Sequence, residues 1–293
     1  MSNMFYYCSN LISVPDISKI DTSFVYYMHS VFSHCSSLSQ IDNNISKWNI
    51  SNVEDISYLF YSCSSLKSLP DISGWNLSKV YYMSFCFFGC KELKQMPDIS
   101  NWNVSKVCDI SSSFHYCSSL ISLPDISKWD TSNIYDMSTV FCLCKNLLIL
   151  PDISKWKTKR LKYIICLFSG CCNLLFLPDI SMWDTSELIS MNGVFEYCDS
   201  LTSIPDISKW NLSKLESVFS LFGHCLSLSS VPDISKWDVS KFKSLFILFS
   251  GNISLSSLPN ITKWKVNEHG EMKAYDDGVY YNCINSINIP KLI

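Results

Sequence analysis

Long apolar runs are missing from this sequence of 293 residues. No stretch approaches the roughly 18 consecutive apolar residues that a membrane-spanning helix needs. The opening "MSNMFYYCSN" has neither a basic segment nor an apolar core, so no transmembrane helix and no export signal are expected in this chain. Charge is also scarce, at 17% of residues against 47% hydrophobic, which argues against intrinsic disorder.

Histidine is scarce too, and catalytic motifs are missing. The sequence has no H-E-x-x-H, G-x-S-x-G, phosphate-binding loop or G-x-G-x-x-G. Its net charge of −3 gives no reason to expect a nucleic-acid partner. An enzyme is therefore not expected, and neither is a cofactor. The scattered histidines are His29, His34, His115, His224 and His269.

What the sequence does contain is a repeat with a period of 27 residues. All nine tryptophans obey it, a Phe follows most of them twelve residues later, and a Cys and then a Leu follow at intervals of three. Ten copies are visible, with one extra residue near "IDNNIS". Such a period indicates a solenoid, because a short unit buries its apolar face only by stacking on its neighbours. The tryptophans are Trp48, Trp75, Trp102, Trp129, Trp156, Trp183, Trp210, Trp237 and Trp264.

The repeats predict the domain organisation and an α/β fold. Residues 1–265 form the tandem array, 266–279 an insertion and 280–293 a partial eleventh repeat. Pro fixes φ and lacks a donor, so a short strand such as 66–69 should end at "LP". A second extended piece is expected at "VEDI", residues 53–56, followed by one helical turn capped by Ser57; a helix starting at Ser51 is the alternative.

The string "F-x-x-C-x-x-L-x-x-LP-x-IS-x-W-[DN]-x-S-x-V-x-x-M" resembles the BspA-like leucine-rich repeat surface proteins and the related mycoplasma surface-protein repeats. The resemblance covers nearly the whole chain. It implies a right-handed leucine-rich-repeat solenoid, a cell-surface or secreted setting, and binding or adhesion without catalysis. It carries no functional residues across.

The fifteen cysteines allow two interpretations. Nine share one repeat position, and Cys283 is expected at the same position of the partial repeat. Parallel side chains about 4.8 Å apart disfavour disulfides and favour a buried column of thiols. Asn252 takes this position in one repeat, which supports the structural interpretation. A metal or redox role stays open for five cysteines outside the register, although their spacing lacks the paired C-x-x-C pattern. These are Cys86, Cys108, Cys142, Cys166 and Cys172.

A column of aspartates in "P-D-I-S" also has two interpretations. Stacked carboxylates attract calcium, whereas an Asp in a turn accepts a hydrogen bond from its own backbone. Asn44 and Asn260 take the same place, which favours the turn. The aspartates are Asp16, Asp71, Asp98, Asp125, Asp152, Asp179, Asp206 and Asp233.

Two surface features remain as candidate sites. Between the paired leucines of each strand lie two variable residues, at least one of which should face outward. These are apolar in the middle of the array, which indicates a contact patch unless strand twist tucks half of them inward. The predicted patch is Ile121, Leu148, Ile149, Leu175 and Phe176. The stretch "KWKTKRLK" is either a solvated loop or a docking site for an acidic partner or membrane surface. Its cations are Lys155, Lys157, Lys159, Arg160 and Lys162.

Three hypotheses on function follow from these features. The first is a non-enzymatic module that binds a protein or glycan through a strand-lined face. The second is a structural surface array that associates end to end through unpaired edges. The third is a metal or redox protein that uses the cysteines outside the register.

Overall fold

The computed structural model describes residues 1–242, 244–257, 259, 261 and 264, without the side chains of residues 43, 44 and 244–246. Regular secondary structure in this part of the chain is limited to the 3-10 helix Asn43–Lys47 and two strands, β1 Ser217–Phe219 and β2 Ser244–Phe246. The strands pair in parallel, with Ser217 opposite Ser244. The insertion and the partial eleventh repeat predicted at 266–279 and 280–293 lie outside the described residues.

A parallel ladder runs along the array at the "VEDI" position. Strands β1 and β2 are its last described rungs, and single bridges continue it through the preceding repeats. Rungs of a solenoid are therefore stacked in parallel, one repeat apart. The bridges are Tyr27↔Asp55, Asp55↔Tyr82, Tyr82↔Asp109, Asp109↔Asp136, Asp136↔Tyr163 and Tyr163↔Ser190.

The strand expected at 66–69 is reduced to single hydrogen bonds and two isolated parallel bridges, Ser13↔Gln40 and Gln95↔Ser122. The Lys67 N–H donates to the Ser39 carbonyl at 3.1 Å, and the Leu148 N–H donates to the Ile121 carbonyl at the same distance. Pro ends the segment, since it offers no donor for a longer ladder. The leucine pairs are thus held rung against rung through the backbone.

The predicted helical turns are wrong, and no α-helix forms in the residues that the structure describes. Tyr58 and Ser62 have φ of 59° and 57°, in the left-handed region, so an α-helix cannot pass through them. The Leu59 N–H donates within the turn to Ile56, whereas the Phe60 N–H donates to the Cys86 carbonyl of the next rung at 2.8 Å. Donors alternate between the turn and the neighbouring rung.

The alternative helix beginning at Ser51 is also wrong. Residues 51 and 52 form a turn, and 53–55 continue into the parallel ladder. The Ser51 N–H donates to Asn49 Oδ1 at 3.1 Å, so the turn is closed by its own side chain. Pairing with neighbouring rungs takes the backbone groups that a helix would use.

The core consists of columns that repeat from rung to rung. The Phe rings stack nearly parallel, as at Phe87 and Phe114, whose centroids lie 5.5 Å apart at 6°. Each buried Phe contributes roughly 1.5–3 kcal/mol of hydrophobic stabilisation. On another side of the rung, the Trp129 Nε1–H donates to the Ile99 carbonyl of the preceding rung at 3.1 Å. The apolar columns and these bonds together hold successive rungs in register.

Candidate functional site

The regular cysteine column belongs to the core. From Cys35 to Cys225 its members are buried, and each Sγ–H donates to the carbonyl of a Phe in the preceding rung at 2.9–3.2 Å. Burial raises the pKa of Cys117 to about 12, so the thiol stays protonated. The Asn252 amide donates to the Phe222 carbonyl at 2.7 Å, and its Oδ1 accepts from the Cys225 N–H at 2.9 Å. These bonds confirm the structural interpretation of the column.

The cysteines outside the register do not form a cluster. In the described residues, no group of three or more His, Cys, Asp or Glu side chains is placed to hold a metal ion. Cys108 Sγ donates to the Tyr81 carbonyl at 3.2 Å, and Cys172 Sγ donates to the Gly170 carbonyl at 3.4 Å. Burial raises the pKa of Cys142 to about 12 and also raises the pKa of Cys166. Burial therefore lowers the thiolate content on which reactivity depends.

The aspartate column forms turns. In each described "P-D-I-S" from Asp71 to Asp233, the Asp Oδ1 accepts the Ser N–H two residues later at 2.9–3.0 Å. Hydrogen bonds from Ser127 hold the pKa of Asp125 below its usual value, and the other members are lowered for the same reason. The turn interpretation is confirmed by these bonds.

The apolar residues predicted as a contact patch all face outward. Four are aliphatic and one, Phe176, is aromatic, and we call the set the aliphatic patch. Strand twist does not tuck half of them inward, because both variable residues of 147–150 and of 174–177 are exposed while the flanking Leu147 and Leu150 are buried. Leu175 N–H donates to the Leu148 carbonyl at 3.2 Å, so the three rungs are directly adjacent. The exposed fractions are Ile121 46%, Leu148 42%, Ile149 45%, Leu175 49% and Phe176 56%.

Polar rungs border the aliphatic patch on both sides. Lys94 and Gln95 precede it, and Thr202 and Ser203 follow it. The Ile121 N–H donates to the Lys94 carbonyl at 3.1 Å, which places the polar rung directly beside the patch. The apolar surface of these three rungs therefore has a polar rung on each side.

The predicted basic residues are all exposed and lie on a different part of the rung. Four of them, Lys157, Lys159, Arg160 and Lys162, line one groove of about 890 Å³ together with Tyr135. Lys155 does not line it. The sequence predicted these cations as a candidate docking site, and it gave no sign that four of them line one groove.

Exposed aromatic side chains in the first four rungs were missed by the sequence reasoning. Tyr26 and Tyr27 are 51% and 54% exposed, and Tyr81 and Tyr82 are 40% and 47% exposed. Beside them Tyr58 stacks on Phe85 with centroids 4.8 Å apart. The signal was present in the doubled tyrosines of "VYYM", at positions where the repeat leaves the residue free.

The family of the chain follows from its sequence. Residues 1–97, 82–202 and 202–282 each match the family described as "Mycoplasma protein of unknown function, DUF285". No curated protein matches the chain. Within the described residues, no helix has the length and apolarity that crossing a membrane requires.

Several solved structures of low sequence identity are similar to the chain. A leucine-rich cell surface protein from Faecalibacterium prausnitzii is 16% identical, with a TM-score of 0.36, covering 92% of this chain and 89% of its own. A T. pallidum leucine-rich repeat protein is 16% identical, with a TM-score of 0.30 over 86% and 81%. A Bacteroides ovatus leucine-rich repeat protein is 19% identical, with a TM-score of 0.26 over 87% and 80%.

The family matches together extend over residues 1–282, which include every complete copy of the repeat. They agree with the resemblance drawn from the repeat string, so that prediction is confirmed. The chain therefore belongs to the DUF285 family of mycoplasma proteins.

Proposed function

We propose that this chain is a non-enzymatic binding scaffold, a right-handed leucine-rich-repeat solenoid of about ten repeats at a cell surface or secreted. The observation that carries the proposal is the aliphatic patch. Contiguous exposed apolar surface is uncommon on a protein that works alone and marks a place where water is displaced by a partner. The cell-surface or secreted setting follows the resemblance of the repeats.

The chemistry of the aliphatic patch favours a protein partner over a glycan. Its five side chains carry no hydrogen-bonding groups, whereas a sugar presents hydroxyls that must be paired when they leave water. The backbone of Leu148 and Leu175 is already bonded between rungs, so recognition depends on the side chains. An apolar centre bordered by the polar rungs of Lys94 and Thr202 has the arrangement of an interface core with its rim.

Leu148→Asp with Phe176→Asp tests this proposal. Burying two carboxylates in an apolar interface should weaken binding by at least about 100-fold, because unpaired charges are costly to desolvate. The measurement is binding of the labelled protein to cultured host cells by flow cytometry, before and after the cells are treated with protease. A protein partner requires that protease abolishes the wild-type signal.

The matched control is Thr202→Asp with Ser229→Asp. Thr202 and Ser229 are both exposed and take the position of Leu148 in their own rungs, so the control adds the same charge outside the patch. We expect it to bind as the wild type does, with unchanged circular dichroism in both variants. Retained binding by the patch variant contradicts the proposal. If the wild type self-associates in sedimentation experiments and the patch variant does not, the patch binds a second copy of the chain instead.

A further inference from the structure

Among the rungs from Trp48 to Trp237, one departs from the turn chemistry of the others. After each other described Trp from Trp48 to Trp237 stands an Asp or Asn whose Oδ1 accepts the N–H of a Ser two residues later, as Asn103 does from Ser105 at 3.1 Å. After Trp156, Lys157 and Lys159 take both places. This rung therefore lacks the side-chain oxygen that closes the turn in the other rungs. Lys157 and Lys159 take its place and cannot accept a hydrogen bond from the backbone.

The neighbouring rung holds the altered turn in place. The Lys157 N–H donates to Thr131 Oγ1 at 2.8 Å, and Thr131 Oγ1 donates to the Lys157 carbonyl at 3.1 Å. The Leu161 N–H still closes onto the Thr158 carbonyl at 2.9 Å, as in other rungs. The backbone therefore keeps the path of the repeat, and the lysine side chains are exposed rather than needed for folding.

The cations of this rung surround the groove of about 890 Å³ described above. Lys157 pairs with Asp130 at 3.2 Å, an exposed contact that contributes little. Arg160 Nη1 donates to the neutral amide oxygen of Asn133 at 2.7 Å, so its charge is not neutralised there. Lys162 lines the same groove.

Most of the charged residues that line the groove are cations. Glu187 lines it but is bonded to Lys214 at 2.6 Å. Hydrogen bonds from Ser186 hold the pKa of Asp184 below its usual value, and the Lys159 charge lowers it further. Of the charged side chains that line the groove, four are cations and one, Glu187, is a carboxylate, and the carboxylates of Asp109 and Asp136 lie near Tyr135. The charges that line the groove are therefore mostly opposite in sign to the net charge of −3 of the whole chain.

We propose that this groove is a second binding site, for a linear sulfated glycan. Several cations in a concave surface attract a chain that carries one anionic group per few ångströms, and the Arg160 fork matches a sulfate. The Tyr135 ring, 36% exposed, gives an apolar face for a sugar ring.

Other polyanions fit the groove less well. Single-stranded nucleic acid is held by successive aromatic platforms, and Tyr135 is the one aromatic residue among those that line the groove. A membrane surface is bound by cations together with apolar side chains that insert, and no Leu, Ile, Val, Met or Phe is among the lining residues. The site is separate from the aliphatic patch, so the two proposals fail independently.

The test uses a variant that restores the repeat. Lys157→Asn with Lys159→Ser gives this rung the order Trp-Asn-Thr-Ser, which matches the Asp or Asn and the Ser of the other rungs. The Asx turn should then form, and the variant should fold. The control, Lys209→Asn with Lys236→Ser, removes two exposed lysines from other rungs and changes the net charge equally. The ligand is a heparin dodecasaccharide, measured by isothermal titration calorimetry at several salt concentrations.

We expect the wild type and the control to bind the dodecasaccharide in about 0.15 M salt, and the restoring variant to bind at least about tenfold more weakly. The slope of log affinity against log salt concentration should be smaller in the restoring variant by about one to two. Equal affinity of the restoring variant and the wild type overturns the proposal, as does failure of the wild type to bind. Equally tight binding of an oligo-dT strand or of phosphatidylserine vesicles in place of heparin overturns the assignment to a glycan.

Discussion

At the scale of single residues, polar side chains in this protein mostly serve their own backbone. Asp98, Asp125 and Asp152 each accept the N–H of a Ser two positions on, at 2.9 Å. The Ser side chains also stabilise the ionised form, which holds the pKa of each carboxyl below its usual value. A column that looks like a cation site by composition is a set of independent turns, each made from four consecutive residues.

The aspartate turns predict loss of stability in acid. Because the pKa of each Asp is lower in the folded chain than the unfolded value near 3.8, its stabilisation is fully present above pH 3.8 and is lost as pH falls through the folded pKa. Asp98→Asn, Asp125→Asn and Asp152→Asn together should keep the turns without titrating, so the melting temperature should fall less between pH 5 and pH 2 than in the wild type. Parallel melting curves across that range contradict this account.

At the scale of one rung, the tryptophan column bonds each repeat to the one before. Trp75 Nε1 donates to the Ile45 carbonyl at 3.0 Å, and the pattern continues to Trp264. Trp48 is the exception: its Nε1 is buried without a partner, directly after the 3-10 helix Asn43–Lys47 that accommodates the extra residue. The insertion therefore breaks one hydrogen bond while the ring remains buried against Phe32 at 6.0 Å.

This exception supplies a matched pair of variants. Both Trp129→Phe and Trp48→Phe replace an indole by a smaller ring. Only Trp129→Phe also removes a hydrogen bond, the one to the Ile99 carbonyl, because Trp48 Nε1 has no partner. We expect Trp129→Phe to lower the free energy of unfolding by about 1 kcal/mol more than Trp48→Phe, the usual net contribution of such a bond. Urea unfolding measures both. A smaller loss for Trp129→Phe than for Trp48→Phe contradicts the role of the indole N–H.

The rung also shows what the sequence alone predicts and what it does not. The apolar positions Phe87, Cys90 and Leu93 were predicted from spacing, because burial leaves a periodic mark on composition. The sequence did not exclude the helical turn, because the carbonyls that take its N–H groups belong to the next rung. The Ser62 N–H, for example, donates to the Phe88 carbonyl of that rung. The groove was missed for the same reason, since Tyr135 and Lys162 become neighbours only when rungs stack.

At the scale of the whole molecule, the array has little contact between distant parts of the sequence. The hydrogen bonds between rungs join residues one repeat apart, as Tyr135 joins Cys108 and Lys162 joins Tyr135. Stability in such a solenoid is approximately a sum of terms for each rung and each interface between rungs. The two proposed sites, each built from a few adjacent rungs, are therefore local features on a uniform support.

Removal of one full period tests this modular description. Deletion of residues 157–183 joins Trp156 to Asp184 and restores the Trp-Asp-Thr-Ser order in register. We expect a folded chain that is shorter by about 4.8 Å in solution scattering, the spacing of one rung, with circular dichroism per residue unchanged. Its binding to the heparin dodecasaccharide should be lost with the four groove cations.

Deletion of residues 157–170 is the control, because half a period places apolar positions outside the core and should unfold the array. Equal unfolding of both deletions contradicts the independence of the rungs.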